Sequence, residues 1–407
     1  MIRLAAASIA ALLASCGQGA AQDPAPAAAG APVETRAANA PDQRPAFPGQ
    51  TRAPGVRTGA GLTHAVVASG LVEPWGLALL PDGRWLVTER PGRLRIITAG
   101  GQVGEPIQGL PAVDARGQGG LLDVILSPGF ARDRTIFWSY AEPREGGNGT
   151  TVARGRLSED GARVENVQVI LRAVPAYDGD KHYGSALAFG PDGHLFVTVG
   201  ERSDAPVRGQ AQDLGSHYGK TLRIGPDGTV PGDNPFVGRA GALPEIWSWG
   251  HRNPQGVAIA ADGTVWTVEH GPRGGDELNR IRPGLNYGWP EVTYGIEYRG
   301  TPVGEGLTAR EGVEQPVYYW DPSGAPGNLT VYDGAMFPDW RGNLLVAVMR
   351  DKHIARLVIA DGRVVGEERL LTDLGERIRD VAVGPDGAVW VITDEPNGKL
   401  VRLSTGG

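Results

Sequence analysis

The chain carries one cysteine, Cys16, so it can form no internal disulfide and no cysteine-based metal site. Basic residues are not in excess. The 39 Lys and Arg face 46 Asp and Glu for a net charge of −7, which excludes the cationic footprint of a nucleic-acid binder. The seven histidines include no HExxH or HxH pair, and histidine-held zinc goes with them. Long uninterrupted helices are also excluded, because 62 Gly and 32 Pro make up close to a quarter of the 407 residues. The glycines have no three-residue period, so the chain is not collagen-like. A nucleophile elbow, a P-loop and a Rossmann fingerprint are missing; Gly117-Gln118-Gly119-Gly120 opens no helix and has the wrong spacing.

The N-terminus reads as a targeting segment. Met1-Ile2-Arg3, an apolar run from Leu4 to Leu13 and then Ala14-Ser15-Cys16 make a secretory signal over residues 1–15. That run is well short of the roughly 20 residues of a membrane span. Leu13-Ala14-Ser15-Cys16 resembles the lipobox of bacterial lipoproteins, whose cysteine is acylated, and Gly17 carries no inner-membrane retention signal. The alternative is an ordinary signal with an incidental cysteine. Residues 16–60, rich in Ala, Pro, Gln and Asp, are expected to form the anchor and a disordered spacer, and residues 61–407 the folded domain. The expectation is export to the periplasm, with membrane contact only through a lipid anchor on the outer membrane.

A repeated phrase sets the architecture. Apolar alternation, a turn on Pro-Asp-Gly or a relative, and a second alternating run occur at Leu77 to Thr88, Leu187 to Thr198, Val257 to Val268 and Val381 to Thr393. Looser copies sit at Pro128-Gly129-Phe130 and Pro338-Asp339-Trp340. Period-two alternation broken by a turn signal marks β-hairpins. Six copies predict an all-β fold, a six-bladed β-propeller of four-stranded antiparallel blades, with a pair of β-sandwiches as the alternative.

Polar clusters stand just outside the predicted strands. Lys181-His182-Tyr183-Gly184-Ser185 precedes the second strong strand pair, and Trp249-Gly250-His251-Arg252-Asn253-Pro254-Gln255-Gly256 precedes the third. Glu269-His270-Gly271-Pro272 follows the third, and Arg377-Ile378-Arg379-Asp380 precedes the last. Equivalent loops open on one propeller face, so Arg252, Arg377 and Arg379 can form a cationic cradle with His182 as a base on its rim. Such a pocket suits a polyanionic ligand and proton abstraction. The same arginines read equally well as surface or inter-blade ion pairs.

These residues carry a resemblance. Pro74-Trp75-Gly76-Leu77-Ala78, Gly117-Gln118-Gly119-Gly120-Leu121-Leu122, His182-Tyr183-Gly184-Ser185 and Gly250-His251-Arg252-Asn253-Pro254-Gln255-Gly256 occur in order. Gly271-Pro272 with Asp276-Glu277-Leu278-Asn279, and Asn286-Tyr287-Gly288-Trp289-Pro290, follow them. From about Leu62 to Leu403 the chain resembles the soluble glucose/sorbosone dehydrogenases that depend on pyrroloquinoline quinone (PQQ), a family of six-bladed propellers. The resemblance implies oxidation of an aldose at C1 to the lactone, PQQ and Ca2+ as cofactors, a sugar substrate and an unidentified electron acceptor. By resemblance His182 is the general base, Arg252 stabilises charge on the quinone and Gln118 orients substrate or quinone. Asn253 then holds the cofactor edge and Arg377 and Arg379 clamp its carboxylates. The carbonyls of Gly271 and Pro272 match the catalytic Ca2+ ligands, and Glu277 and Tyr287 match ligands of a second, structural calcium.

Two departures stand out. Where relatives carry a PQQ-contacting lysine this chain has Arg350, whose planar fork differs from an ammonium. The loop from Trp320 to Asn328 follows the family pattern only in part, with Trp320 expected as a packing residue near the cofactor. His251 and His270 read as structural, Trp75, Trp249 and Trp289 as inter-blade packing, and Asp276 as loop brace or substrate contact. The rival readings are a calcium-dependent, lactonase-type propeller hydrolase and a non-catalytic binding propeller, since fold alone does not decide chemistry.

Overall fold

The computed structural model describes residue 1, residues 30–59 and residues 61–406; the expected signal segment and Cys16 lie outside the described residues. Six antiparallel sheets follow one another along the chain. The first blade holds Pro74–Leu79, Trp85–Glu89 and Arg93–Ile97, the second runs from Leu121–Leu126 to Val164–Arg172, and the third from Gly184–Phe189 to Ile246–Trp249. The fourth runs from Pro254–Ile259 to Tyr318–Trp320 and the fifth from Pro326–Val331 to Arg363–Leu370. In the sixth, Ile378–Val383, Val389–Thr393 and Gly398–Thr405 are completed by the N-terminal strand Leu62–Leu71, with Leu62 opposite Thr405 and Leu71 opposite Gly398. That pairing joins the two ends of the domain. The innermost strands touch in sequence, and Ile378–Val383 touches Pro74–Leu79, so the ring is a closed six-bladed β-propeller.

One blade departs from the expected four strands. The first has three, and beyond Ile97 its outer edge is carried only by an isolated bridge to Val103. Blades stack face to face, so their central strands are buried on both sides, as in the uninterrupted apolar run Leu344–Val348. Trp85 and Trp390 meet across the seam between first and last blades with ring centroids 5.1 Å apart. Burying each large aliphatic side chain at these seams stabilises the ring by about 1.5–3 kcal/mol. Hydrogen bonds lace the inner strands as well. Asp123 accepts from the Leu187 N–H of the next blade at 2.7 Å, and Asp380 accepts from Leu77 at 2.8 Å across the closure.

The spacer expected over residues 16–60 is corrected in its described part. Residues 30–59 form a strap packed on the fourth and fifth blades, with Gln50 and Ala53 buried. Ala53 packs in the apolar cluster that holds Tyr318 and donates its N–H to the Tyr318 hydroxyl at 2.9 Å, and Val56 N–H bonds to the Glu367 carbonyl at 3.0 Å. Composition missed the strap because it is held by hydrogen bonds to backbone groups more than by large apolar side chains.

Candidate active site

The starts of the inner strands and the ends of the strands beside them meet on one face of the ring. In four blades the second strand ends on, or within two residues of, an acid, buried at Glu89, Glu201 and Glu269 and partly exposed at Asp394. Each acid grips what lies at or before the inner strand of its own blade. Glu89 accepts the Val72 N–H at 2.7 Å. Glu269 accepts the Arg252 N–H at 2.6 Å and meets His251 Nδ1 at 3.0 Å. Glu201 Oε2 lies 2.6 Å from His182 Nδ1, and Asp394 Oδ2 takes Arg377 at 2.9 Å and Arg379 at 2.8 Å. One device thus serves four blades with different clients.

The His182 dyad has the electrostatics of a base. Burial pushes the imidazole below its usual pKa and Arg252 adds to that, against the opposing pull of Glu201. Burial alone would raise the Glu201 carboxyl, but His182 and Arg252 hold it below the usual range. A neutral imidazole donating Nδ1–H to a carboxylate leaves Nε2 as the proton acceptor. The backbone here is constrained: His182, Ser185, Arg202 and Ser203 adopt φ of 48°, 91°, 72° and 70°. Non-glycine residues held in this region cost about 1–3 kcal/mol each and need support from their surroundings. Support comes from Gln118, whose side-chain oxygen accepts the His182 N–H at 2.9 Å, and from Ser203, whose N–H bonds to Glu201 at 2.9 Å. Arg202, stacked 4.1 Å from the Tyr183 ring centre, donates to the Lys181 carbonyl at 3.0 Å and the Gly179 carbonyl at 2.8 Å.

Beside the dyad lies a pocket of about 200 Å³ lined by Trp75, Arg90, Gln118, Gln255, His270, Met349, Arg377, Arg379, Asp394 and the Tyr183-Gly184 step that follows His182. A larger open depression of about 800 Å³ sits at the opposite end of the fourth and fifth blades, around Asp262 and Arg341, away from these groups. In the smaller pocket Arg90, Arg377 and Arg379 face a single lining carboxylate, Asp394. Burial works against that charge, but Arg379 and Arg377 hold it below the usual range. Gln255 accepts from Arg379 at 3.0 Å, and Trp75 lies under the Arg379 guanidinium at 5.7 Å. The Nε atoms of Arg90, Arg252 and Arg379 are buried without a hydrogen-bond partner. Excess cation and unused donors suit an acidic ligand.

The other expected site residues fall into three groups. Arg252 forms the wall next to the pocket: it stacks 5.1 Å from Trp289 and donates to the His270 carbonyl at 3.1 Å and the Gly271 carbonyl at 2.7 Å. Asn253 is fully buried and braces the site, accepting from Gly184 at 3.1 Å and Gln255 at 3.2 Å. Arg350 stands apart, with its guanidinium on the Ser323 carbonyl at 3.0 Å while Met349 takes the pocket lining. His270 lines the pocket as a neutral ring, its pKa pushed down to about 3 by burial and the nearby His182, and its Nε2 meets the Pro326 carbonyl at 2.7 Å. Trp320 packs edge-on against Tyr318 at 5.2 Å, outside the pocket lining.

The metal-site expectations divide in the same way. Gly271 and Pro272 offer carbonyl oxygens, the donors a hard cation takes. Asp276 pins that loop by accepting Gly271 N–H at 2.8 Å and Ala325 N–H at 2.7 Å, which resolves it as a brace. Two neutral carbonyls beside the Arg252 charge, that of Gly271 already accepting from Arg252, are a weak cation site alone and would need further oxygens from an acidic ligand. Glu277 lines a small cavity with Glu269, Gly275 and Thr293, on the other side of the Arg252, His270 and Gly271 wall that also borders it. Burial, with the neighbouring Glu269, pushes its carboxyl well up, and Asn279 bridges the two acids at 2.9 and 3.1 Å. The Tyr287 ring lines the same cavity, but its hydroxyl donates to the Arg280 carbonyl at 2.6 Å.

Glu201, Asp394, Gln255 and Arg90 escaped the sequence reading. For the two acids a signal was present: an acid recurs at or just after the end of the second alternating run in four copies of the repeat.

Comparison with known proteins identifies the family. Residues 71–402 match the family described as Glucose / Sorbosone dehydrogenase. The aldose sugar dehydrogenase YliI of Escherichia coli is 43% identical over 343 residues, covering 83% of this chain and 92% of that protein. A crystal structure of a glucose dehydrogenase is 47% identical, with a TM-score of 0.81 over 85% of this chain and 99% of its own. The PQQ-bound form of an aldose sugar dehydrogenase from Streptomyces coelicolor is 28% identical, with a TM-score of 0.70 over 85% of this chain and 99% of its own.

Proposed function

Since this chain belongs to the glucose/sorbosone dehydrogenase family, we propose that it oxidises aldose sugars at C1 to the lactone, with PQQ and Ca2+ as cofactors. The observation that carries the reading is the His182–Glu201 dyad beside a pocket with three guanidiniums and one carboxylate. When bound, PQQ with Ca2+ supplies the acceptor for the hydride that leaves C1. The chain's residues do the rest. His182 Nε2 removes the C1 hydroxyl proton, and Glu201 stabilises the imidazolium that results, a role typically worth about 10²–10⁴-fold for the base itself. Arg90, Arg377 and Arg379 hold the acidic groups of the cofactor, and Gln255 fixes the Arg379 fork. Arg252, desolvated against Trp289, favours negative charge developing beside it. Gln118 holds the His182 backbone and lines the pocket where the substrate enters. The Gly271 and Pro272 carbonyls would hold the catalytic Ca2+, which would supply a Lewis acid next to the quinone.

A lactonase-type hydrolase holds its metal with side-chain carboxylates and Asn at the channel. The lining carboxylate here, Asp394, is already paired to two arginines. The sequence further supports an exported, periplasmic protein anchored through acylated Cys16, passing electrons to an unidentified acceptor. Among the described residues no helix is long and apolar enough to cross a membrane.

The test is reconstitution. Purified apo-protein with PQQ and Ca2+ is expected to reduce a dye in an aldose-dependent way, with saturable quinone uptake seen by absorbance. Lactone hydrolysis without PQQ would move the assignment to the hydrolase, and no quinone uptake would leave a binding propeller.

A further inference from the structure

The strap of residues 30–59 lies outside the segment 71–402 that matches the family, yet it ties onto the loops that flank the cofactor side of the site. The Asn39 and Ala40 N–H groups donate to the two carboxylate oxygens of Asp321 at 2.7 and 2.9 Å. Arg52 donates to the Asp321 carbonyl at 2.9 Å while bonding the strap's own carbonyls at Glu34 and Arg36, at 2.8 and 2.7 Å. On the far side Gln43 donates to the Gly295 carbonyl at 3.1 Å. Between these anchors runs the loop 271–276. Its Gly275 N–H bonds to the Trp320 carbonyl at 2.9 Å, its Gly274 N–H to Ser323 Oγ at 2.9 Å, and its Asp276 accepts from Ala325 at 2.7 Å. Arg273 pairs with Ile296 in both directions, at 2.9 and 3.0 Å, next to the Gln43 tie.

We propose that the strap is a positioning element: through Arg52 and Asn39-Ala40 on Asp321, and Gln43 on Gly295, it clamps loop 271–276 from both sides and fixes the Gly271 and Pro272 carbonyls. Its importance for the cofactor rests on the reading of those carbonyls as Ca2+ ligands, whereas the clamp itself does not. Strap residues touch neither His182 nor the pocket lining, so their effect is on order and on metal-dependent loading.

Hydrogen–deuterium exchange on the full-length apo-protein tests the clamp directly. In Arg52→Ala and Gln43→Ala, exchange across 271–276 and 320–326 is expected to rise about fivefold, the weight of one lost net hydrogen bond. Exchange across 184–189 and 378–383 stays as in the wild type. The Ca2+ concentration for half-maximal PQQ uptake should rise by a similar factor, while kcat at saturating Ca2+ and PQQ holds. A rise confined to residues 30–59, or spread evenly over all blades, overturns the proposal. Should the wild type take up no PQQ, the cofactor reading falls and the exchange pattern still decides the clamp.

Discussion

The two ends of the blades are built from one repeat and put to different uses. At the end away from the pocket, four blades close the same turn. Asp82, Asp192, Asp262 and Asp386 each accept the N–H two residues on, at 3.1, 3.1, 2.9 and 3.0 Å. The glycine between them stands at φ of 83°, 78°, 83° and 81°. At the pocket end the acid that closes the second strand also recurs, but its client changes from the Val72 amide to the His251 ring with the Arg252 amide, the His182 imidazole and the Arg377–Arg379 pair. Repetition at one end closes hairpins. Substitution at the other sets an imidazole, a guanidinium pair and the Arg252 wall side by side, without altering the scaffold that holds them.

If that division is right, changes of similar size at the two ends should differ by orders of magnitude in their effect on turnover. His182→Ala is expected to lower kcat for aldose oxidation by about 10²–10⁴-fold while PQQ uptake persists, measured by dye reduction beside quinone titration. A variant that keeps wild-type kcat would remove the dyad from the chemistry. Next in size is Arg379→Ala, which deletes a buried guanidinium shared by Gln255 and Asp394. PQQ affinity should fall about 10–100-fold, the range of a charge-assisted hydrogen bond. Arg280→Ala, on the exposed rim of the larger depression at the far end, should leave that affinity unchanged; equal losses in both would break the comparison.

Glu201→Gln asks whether the acid does more than hold a loop. The base form of His182 is neutral, so activity rises as pH climbs through its pKa. Burial already lowers that pKa and the Glu201 charge opposes the lowering. Removing the charge leaves burial less opposed, and the acid limb of the pH–kcat profile should move to lower pH. The plateau should drop about tenfold as the imidazolium loses its partner. A lowered plateau with an unmoved limb would make Glu201 a structural residue, like Glu89 in the first blade.

Much of this was legible beforehand, for reasons particular to certain residues. The turn triplets are local signals, since Asp closes its own turn and glycine takes the left-handed φ, so hairpins and ring could be read from spacing. Arg252, Arg377, Arg379 and His182 could be read as one cluster because each sits beside an inner strand. Three things were hidden. The first blade's missing strand leaves no mark, as residues 98–110 are polar and Gly-rich without alternation to contradict. The strap binds through amide, guanidinium and carbonyl groups that composition does not register. Arg350 fits the family position by count, but its longer fork finds the Ser323 carbonyl instead of the pocket.

The smallest expected effect is the sharpest control on the comparison. Gly263 and Gly184 both have positive φ, 83° and 64°. A Cβ on Gly263 would meet only Pro191 Cγ at 4.0 Å, whereas one on Gly184 would lie 2.7 Å from the Gly200 nitrogen and 2.9 Å from the Val199 carbonyl carbon. Gly263→Ala therefore carries only the left-handed penalty of an L-residue, about 1–2 kcal/mol. It should lower the urea midpoint modestly and leave kcat, KM and PQQ uptake where they were. Gly263→Asn should recover part of the loss, because asparagine tolerates this conformation. Gly184→Ala adds a backbone clash two residues after His182, so its stability loss should come with a fall in kcat. If instead the far-end variant changed turnover as much as the near-end one, the turn face would be coupled to the base through the length of the blade, and the separation of closure from chemistry would not hold.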